Sequence, residues 1–264
     1  MDPFTHNRDL RNLMLRETFV RTVESYAEID STNTRALAIV GDVSVEHPCL
    51  IIAERQTAGR GRGANRWWSS EGSLTFSLLL SHDIRGLPLA RWPELSLTVG
   101  TAVCETVRTF LPAGDVRLKW PNDVFLNNRK TCGVLVEVPP APQGTIVIGI
   151  GLNVNNSLQR APEELRQTAI AMCDVADQPL SPDRVLVSLL NELERQMKLL
   201  QKAPDQVRAT WRKFDLLLGR NVTVGHEHGA ITGTAQGIDD DGALLIQTQA
   251  GLRNVYGGVV QSFD

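Results

Sequence analysis

Apolar positions recur along this chain with two periods, and each period predicts a different element. In "ELSLTVGTAVCETVRTFL" Leu95, Val99 and Val103 are four residues apart, and the stripe continues through Thr106 and Phe110. This spacing predicts a helix with one buried face. "PDRVLVSLLNELERQMKLLQ" repeats the spacing and predicts a second long helix, whose Met and Leu stripe is typical of ordinary core.

Other stretches are short and continuously apolar, or are bounded by turn residues, and these predict strands. "CLIIAE", "LTFSLLL" and "GTIVIGIGLNVN" are of the first kind. "VRLKW" and "RKTCGVLVEV" flank a hairpin centred on Asn127-Asn128, because asparagine tolerates the left-handed backbone of tight turns. In "EIDSTNTRALAIV", Ser31 or Thr32 is placed to cap the start of a helix.

The pattern changes near residue 217. Beyond that point "NVTVG", "GAITGTAQGI", "ALLIQTQ" and "LRNVYGGVV" predict four or five short strands separated by turns, which is typical of a small barrel. The predicted organisation is an N-terminal extension over residues 1–25, a main domain over 26–216 and a small β domain over 217–264.

Charge and cysteine content exclude several classes of protein. The formal net charge of -3 over 264 residues argues against a chain that mainly neutralises phosphate backbones. Four cysteines without metal-ligand spacing predict reduced thiols and a cytoplasmic location. No apolar run approaches the roughly 20 residues that would cross a bilayer, so no membrane association is expected.

The stretch "ERQTAGRGRGANRWW" alternates glycine and arginine directly after a predicted strand. It is either a flexible basic patch or a ligand-binding loop. Glycines let backbone amides approach an anion closely, and arginine offers forked donors that match carboxylate or phosphate. The position between two predicted buried strands and the tryptophans that follow favour the ligand-binding loop over an RNA-binding segment.

Two further segments combine polar groups with glycine. "KWPNDVFLNNRKTCGVLVE" brings Lys119, Asn122, Asp123 and Lys130 to one hairpin, although each of these residues alone has a structural explanation as a surface or turn residue. "GIGLNVN" places two glycines inside a strand, where glycine weakens a sheet unless something packs closely on the backbone.

These motifs, in this order with "DSTN" before them, resemble those of the biotin protein ligases over nearly the whole chain. The resemblance implies an α+β fold: a class II synthetase-like domain with a mixed, mainly antiparallel sheet and packed helices, followed by an SH3-like β-barrel. It also implies a two-step reaction. Biotin and ATP give biotinyl-5'-AMP and pyrophosphate, and the biotinyl group then passes to a lysine of a biotin carboxyl carrier domain.

The resemblance carries roles to particular residues. The catalytic residues are Lys130 and Arg62, which bring the two anions together, and Asp123, which orients or deprotonates the acceptor lysine, although a metal-binding or turn-forming role is nearly as well supported for it. The biotin-binding residues are Ser31, Thr32, Gln56, Gly59, Arg60, Arg62, Lys130, Gly133, Leu135 and Gly151. The ATP or adenylate contacts are Arg62, Trp67, Asn122 and Asn153. Mg²⁺ is expected with ATP, held largely by phosphate oxygens.

The loop departs from the family pattern at Ala64 and Asn65, where glycine and a further arginine are usual. This departure leaves open a binding protein for biotin or its adenylate that lost turnover through Ala64 and Asn65. A lipoate or octanoate ligase of related fold is a second, separate alternative. Operator DNA binding is not expected, because only about 25 residues precede the resemblance, which is too few for a winged-helix module. The expected assembly is a monomer or a homodimer.

Overall fold

A computed structural model describes residues 7–81, 94–140, 144–176, 178–226 and 229–264 of the chain. The helices are α1 (Arg8–Glu17), α2 (Thr32–Ala38), α3 (Leu95–Phe110), α4 (Glu163–Thr168), α5 (Pro182–Lys202) and α6 (Pro204–Phe214). The strands of the larger sheet are β1 (Thr22–Ile29), β2 (Cys49–Gln56), β3 (Ser73–Ser81), β4 (Val116–Lys119), β5 (Asp123–Leu126), β6 (Arg129–Glu137) and β7 (Thr145–Asn153). The smaller sheet contains β8 (Asn221–His226), β9 (Gly229–Ile238), β10 (Leu244–Thr248), β11 (Gly251–Val255) and β12 (Val259–Phe263).

The larger sheet is mixed and mainly antiparallel, as predicted. Its strand order is β1-β2-β3-β7-β6-β5-β4, and β1 and β2 run parallel while the other neighbouring pairs are antiparallel. Asn127 and Asn128 both adopt positive φ, at 49° and 63°, and close the predicted hairpin between β5 and β6. The strand β5 itself was missed by the sequence reasoning, although its buried residues alternate.

The two faces of this sheet differ in what covers them. Alternation along β7 directs Ile146, Ile148 and Ile150 into the main core that the sheet shares with α3 and α5. The helix stripes predicted on α3 and α5 lie in that core. The opposite face carries α2, which packs on a smaller apolar cluster, and beside α2 the same face carries Gly149 and Gly151.

The N-terminal segment is part of the main core. Leu10 and Met14 of α1 are buried there, and β1 begins at Thr22, so the predicted boundary at residue 26 falls inside a strand. The cap predicted for α2 is present, since Ser31 Oγ accepts a hydrogen bond from the backbone N–H of Thr34 at 3.4 Å.

The C-terminal strands form an antiparallel sheet of order β11-β10-β9-β8-β12. The predicted barrel is not closed within the described residues, because β11 and β12 remain unpaired edges. The turn between β9 and β10 contacts the main domain through two polar interactions. Trp120 Nε1 donates to the carbonyl of Gly242 at 3.1 Å, and Arg208 Nη1 of α6 donates to the carbonyl of Asp240 at 3.0 Å. Arg208 also pairs with the buried Glu94, so an ion pair of α6 anchors the small sheet.

Two sequence expectations concern the whole chain. All four cysteines are free, as predicted, and three of them are buried. Among the helices of the described residues, none combines the length and hydropathy that crossing a bilayer would require.

Candidate active site

A pocket lies on the glycine-containing face of the larger sheet, between α2, the segment 57–68 and the edge of the small sheet. Of the residues assigned from the sequence, it is lined by Ser31, Thr32, Gln56, Arg60, Arg62, Trp67, Asn122, Asp123, Lys130, Gly133, Leu135 and Gly151. The sequence motifs, which lie up to 120 residues apart in the printed sequence, therefore converge on one site.

The glycine–arginine segment is folded into a short hairpin. The backbone N–H of Gly61 donates to the carbonyl of Asn65 at 2.9 Å, and that of Trp67 donates to Gly59 at 3.0 Å. Gly63 closes the turn at a φ of 59°, a left-handed conformation that suits glycine. The segment is thus an ordered wall of the pocket, as the ligand-loop hypothesis predicted.

Cations gather at one end of the pocket around a single carboxylate. Lys130 Nζ lies 2.6 Å from Asp123 Oδ1. Burial lowers the pKa of Lys119 and of Arg62, and the charge of Asp123 opposes both shifts. Three cations with one carboxylate leave this end with an excess of positive charge, which suits the approach of anions.

The small sheet completes this end of the pocket. Arg62 Nη1 donates to the carbonyl of Gly258 at 3.2 Å, and Gly258, Val259 and Val260 line the pocket. Lys119 Nζ lies 5.5 Å from the ring centroid of Phe263, within cation–π range. Sequence reasoning missed this contribution, and no signal in the chain would have revealed it, because it depends on how the two sheets pack.

The other end of the pocket presents buried side chains that are polar and uncharged. Gln56 Oε1 accepts from the backbone N–H of Thr32 at 2.7 Å and lies 3.0 Å from Thr32 Oγ1. Ser77 Oγ lies 2.8 Å from Thr32 Oγ1 and 2.5 Å from Asn33 Oδ1. Asn33 was not assigned a role, although it stands in the quoted "DSTN" motif. This end offers amide and hydroxyl partners to a neutral polar group.

Glycines form the floor between the two ends. A Cβ built on Gly151 would lie 2.2 Å from Cε2 of Trp67, and one on Gly149 would lie 2.0 Å from Oδ1 of Asn33. The sequence prediction that something packs closely on these backbones is therefore confirmed. The Trp67 indole was predicted to cover an adenylate, but here it lies directly on the floor, over Gly151 and near Gly133.

Two assigned residues lie outside the lining of the pocket, and the amide of a third bonds to the neighbouring strand. Asn153 does not line the pocket, and its Oδ1 accepts from Nδ2 of Asn156 at 3.0 Å. Gly59 also lies behind the lining, where a Cβ would approach the Trp67 carbonyl oxygen to 2.5 Å. Asn122 does line the pocket, yet its Nδ2 donates to the carbonyl of Val134 at 2.7 Å and joins β5 to β6.

Comparisons with known proteins give the same picture as the geometry. The Biotin/lipoate A/B protein ligase family matches residues 26–155, and the biotin protein ligase C terminal domain matches residues 217–261. The biotin--[acetyl-CoA-carboxylase] ligase of Mycobacterium tuberculosis is 34% identical over 229 residues, which cover 86% of this chain and 83% of that protein. The chain belongs to the biotin protein ligase family.

Other members of this family cover the chain in sequence and in structure. The bifunctional ligase/repressor BirA of Bacillus spizizenii is 30% identical over 241 residues, which are 89% of this chain and 73% of that protein. The biotin protein ligase of Aquifex aeolicus, solved in complex with biotin and ATP, has a TM-score of 0.78 and 29% identity. It covers 92% of this chain and 98% of its own, so both sheets of the family fold are shared.

Proposed function

We propose that this protein is an ATP-dependent biotin–protein ligase, whose pocket holds biotin with its ring at the polar end and its carboxylate at the cationic end. The observation that carries the proposal is this division of one pocket into a neutral hydrogen-bonding end and a cationic end, joined by a glycine floor. Biotin has the same division, with a neutral ureido ring, an apolar chain and a carboxylate. Family membership and the solved relative with biotin and ATP support it.

The polar end favours biotin over lipoate or octanoate. Thr32, Asn33 and Gln56 are each less than 10% exposed, so their polar atoms gain little from water. An apolar dithiolane or alkyl end offers these groups no hydrogen bond beyond those that they already make with one another and with Ser77. A ureido ring provides both donors and an acceptor.

The first step joins two anions that repel each other. A carboxylate oxygen of biotin attacks the α phosphorus of ATP, a C–O–P linkage forms, and the bond to the β phosphate breaks with release of pyrophosphate. We assign Arg62 and Lys130 to hold the carboxylate and the α phosphate together, because preorganised cations stabilise the charge that develops in the transition state. Arg62 is already oriented by the Gly258 carbonyl.

Asp123 serves the second step. Its Oδ1 lies 2.6 Å from Lys130 Nζ. Once Lys130 turns to the bound anions, Asp123 is free to orient the lysine of a carrier domain and accept its proton. The lysine nitrogen then forms an amide with the biotinyl carbonyl carbon, and AMP leaves.

Mg²⁺ fits this site as a companion of ATP. Among the described residues, no group of three or more His, Cys, Asp or Glu side chains could hold a metal ion. The described lining of the pocket contains one carboxylate residue, Asp123. Such a donor set suits a cation held mainly by phosphate oxygens, whose charge it would neutralise. Asp123 would contribute at most one protein ligand.

The decisive experiment is the exchange of labelled pyrophosphate into ATP, with biotin, lipoate or octanoate added in turn. Biotin is expected to stimulate exchange, and purified carrier domain is then expected to gain a biotinyl group in a time-dependent reaction. Biotin that binds by calorimetry without stimulating exchange would favour a binding protein without turnover, and stimulation by lipoate alone would favour a lipoate ligase.

Lys130→Ala tests the assigned role of the lysine. Exchange is expected to fall by at least about 100-fold, the scale on which single electrostatic stabilisers act, while the melting temperature changes little. Lys213→Ala on the surface of α6 is the matched control. Full exchange activity in Lys130→Ala would remove Lys130 from the mechanism.

A further inference from the structure

Glu137 ends β6 beside the pocket and gathers donors from two distant parts of the chain. Arg60 binds it with both terminal nitrogens, Nη1 to Oε2 at 3.0 Å and Nη2 to Oε1 at 2.7 Å. Asn33 Nδ2 donates to Oε2 at 2.9 Å. A two-pronged arginine–carboxylate pair fixes both distance and orientation, so Glu137 holds the hairpin and α2 at one point.

The contacts of Glu137 continue into the polar end of the pocket. Asn33 meets Ser77, and Ser77 meets Thr32, which in turn hydrogen-bonds to Gln56. Gly149 makes this chain possible, because any side chain there would overlap Asn33. A continuous line of hydrogen bonds thus joins the proposed ring contacts to the base of the hairpin.

The positive charges on the hairpin and on the opposing sheet make the Glu137 carboxylate important for keeping the hairpin closed. The hairpin carries Arg60, Arg62 and Arg66, and the opposing sheet carries Lys119 and Lys130. Like charges that line one pocket repel each other, and this repulsion would favour an open hairpin. The backbones of Arg60 and Arg66 form an antiparallel bridge at the base of the hairpin. A carboxylate that holds Arg60 therefore also fixes the start of the turn that carries Arg62.

We propose that Glu137 is a positioning residue that pins the glycine–arginine hairpin onto the sheet through Arg60. By doing so it sets the affinity for biotin and the retention of the acyl-adenylate. The inference rests on the proposed function for its ligand. The pin itself is a property of the free protein and is testable without activity.

The first experiment measures the hairpin directly by limited trypsin digestion of the full chain without ligand, with cleavage after residues 60, 62 and 66 followed by mass spectrometry. In Glu137→Gln, which keeps the shape and loses the charge, cleavage is expected to accelerate about tenfold, as the loss of one charge-assisted contact predicts. Glu28→Gln is the matched control, since Glu28 pairs with Arg55 across the exposed end of β1 and β2. It is expected to leave cleavage within the hairpin unchanged.

The second experiment separates positioning from chemistry. In Glu137→Gln the KM for biotin is expected to rise about tenfold with kcat within about threefold of the parent. Glu137→Ala, Arg60→Ala and the variant that combines them are expected to raise the KM for biotin by the same factor, because both residues act through one contact. The conservative Glu137→Asp is expected to recover part of the trypsin resistance.

Two outcomes would overturn the inference: a parent-like cleavage rate in Glu137→Gln, or additive effects in the double variant. If the parent shows no biotin-dependent exchange, the proposed function fails, and the trypsin comparison still decides whether Glu137 pins the hairpin. Should Glu137→Ala unfold, the cycle is run with Glu137→Gln and Arg60→Gln.

Discussion

The floor of the pocket provides the most direct test of the site, because Gly133 and Gly151 are paired neighbours with different amounts of space above them. They lie opposite each other on β6 and β7. A Cβ on Gly151 would meet three indole carbons of Trp67 at 2.2, 2.6 and 2.6 Å. A Cβ on Gly133 would find its nearest neighbours at 3.5 and 3.6 Å, which is ordinary contact.

The size of the effect follows from these distances. Carbon atoms pack favourably at about 3.5–4.0 Å, so in Gly151→Ala the indole must retreat by about 1.5 Å. Overpacking costs about 1–3 kcal/mol, and we expect the lower part of this range for stability because Trp67 lies on a hairpin that can move outward. The proposed position of the biotin chain is on the same floor, and a loss of about 1.4 kcal/mol in its binding corresponds to a tenfold weaker affinity.

The assay is isothermal titration of biotin into the two alanine variants, with thermal unfolding of each. Gly151→Ala is expected to weaken biotin binding about tenfold or more, and Gly133→Ala by less than about threefold. Equal effects of the two alanines would refute the reasoning, since they share a face, a register and a chemical change. Unaltered binding in Gly151→Ala would show that biotin does not use this floor.

Three further predictions concern Asp215, Gly258 and Trp67. Burial raises the pKa of Asp215 from 3.8 to about 6, so the protonated carboxyl stabilises the fold below pH 3.8 and this stabilisation is lost as the pH rises through 6. Asp215→Asn is therefore expected to raise the free energy of unfolding by up to about 3 kcal/mol at pH 7.5 and not at all near pH 4, as measured by urea unfolding. A gain that does not depend on pH would contradict this. Gly258→Ala is expected to shift the carbonyl that orients Arg62, because Gly258 has a φ of 133° and its Cβ would lie 2.7 Å from the Gly225 oxygen. Pyrophosphate exchange is then expected to fall at least about fivefold. Unchanged exchange would show that the small sheet does not position Arg62 for the reaction. Biotin is expected to change the tryptophan fluorescence of the parent more than that of Trp67→Phe, because the indole of Trp67 lies on the glycine floor and must move. An equal change in both would contradict this.

Local patterns were sufficient for most of the secondary structure. The stripes on α3 and α5, the cap at Ser31 and the Asn127-Asn128 turn were all predictable, because each depends on residues within a few positions of one another. Closure of the C-terminal barrel was predicted and is not observed among the residues that the structure describes. Strand count and turn residues fix a series of hairpins, but whether the first and last edges meet depends on twist and on what the sheet packs against.

For the site, the sequence determined which residue types are available and the tertiary structure decided what each one does. The residues of three motifs line the pocket: the alternating glycines and arginines, the lysines of "KWPNDVFLNNRKTCGVLVE" and the strand glycines of "GIGLNVN". Asn153 and Asn122 show what motifs cannot predict. Both residues belong to motifs, yet each side-chain amide hydrogen-bonds to a neighbouring segment of the chain.

Three features required the folded chain. The Glu137 carboxylate meets Arg60 and Asn33 across separations of 77 and 104 residues, and the Gly258 carbonyl reaches Arg62 across 196. A carboxylate in a strand pattern carries no mark of its partner, and a backbone carbonyl carries no side-chain signal at all. Sequence periodicity specifies which face a residue occupies, whereas partners on other elements are chosen by how the sheets and helices pack.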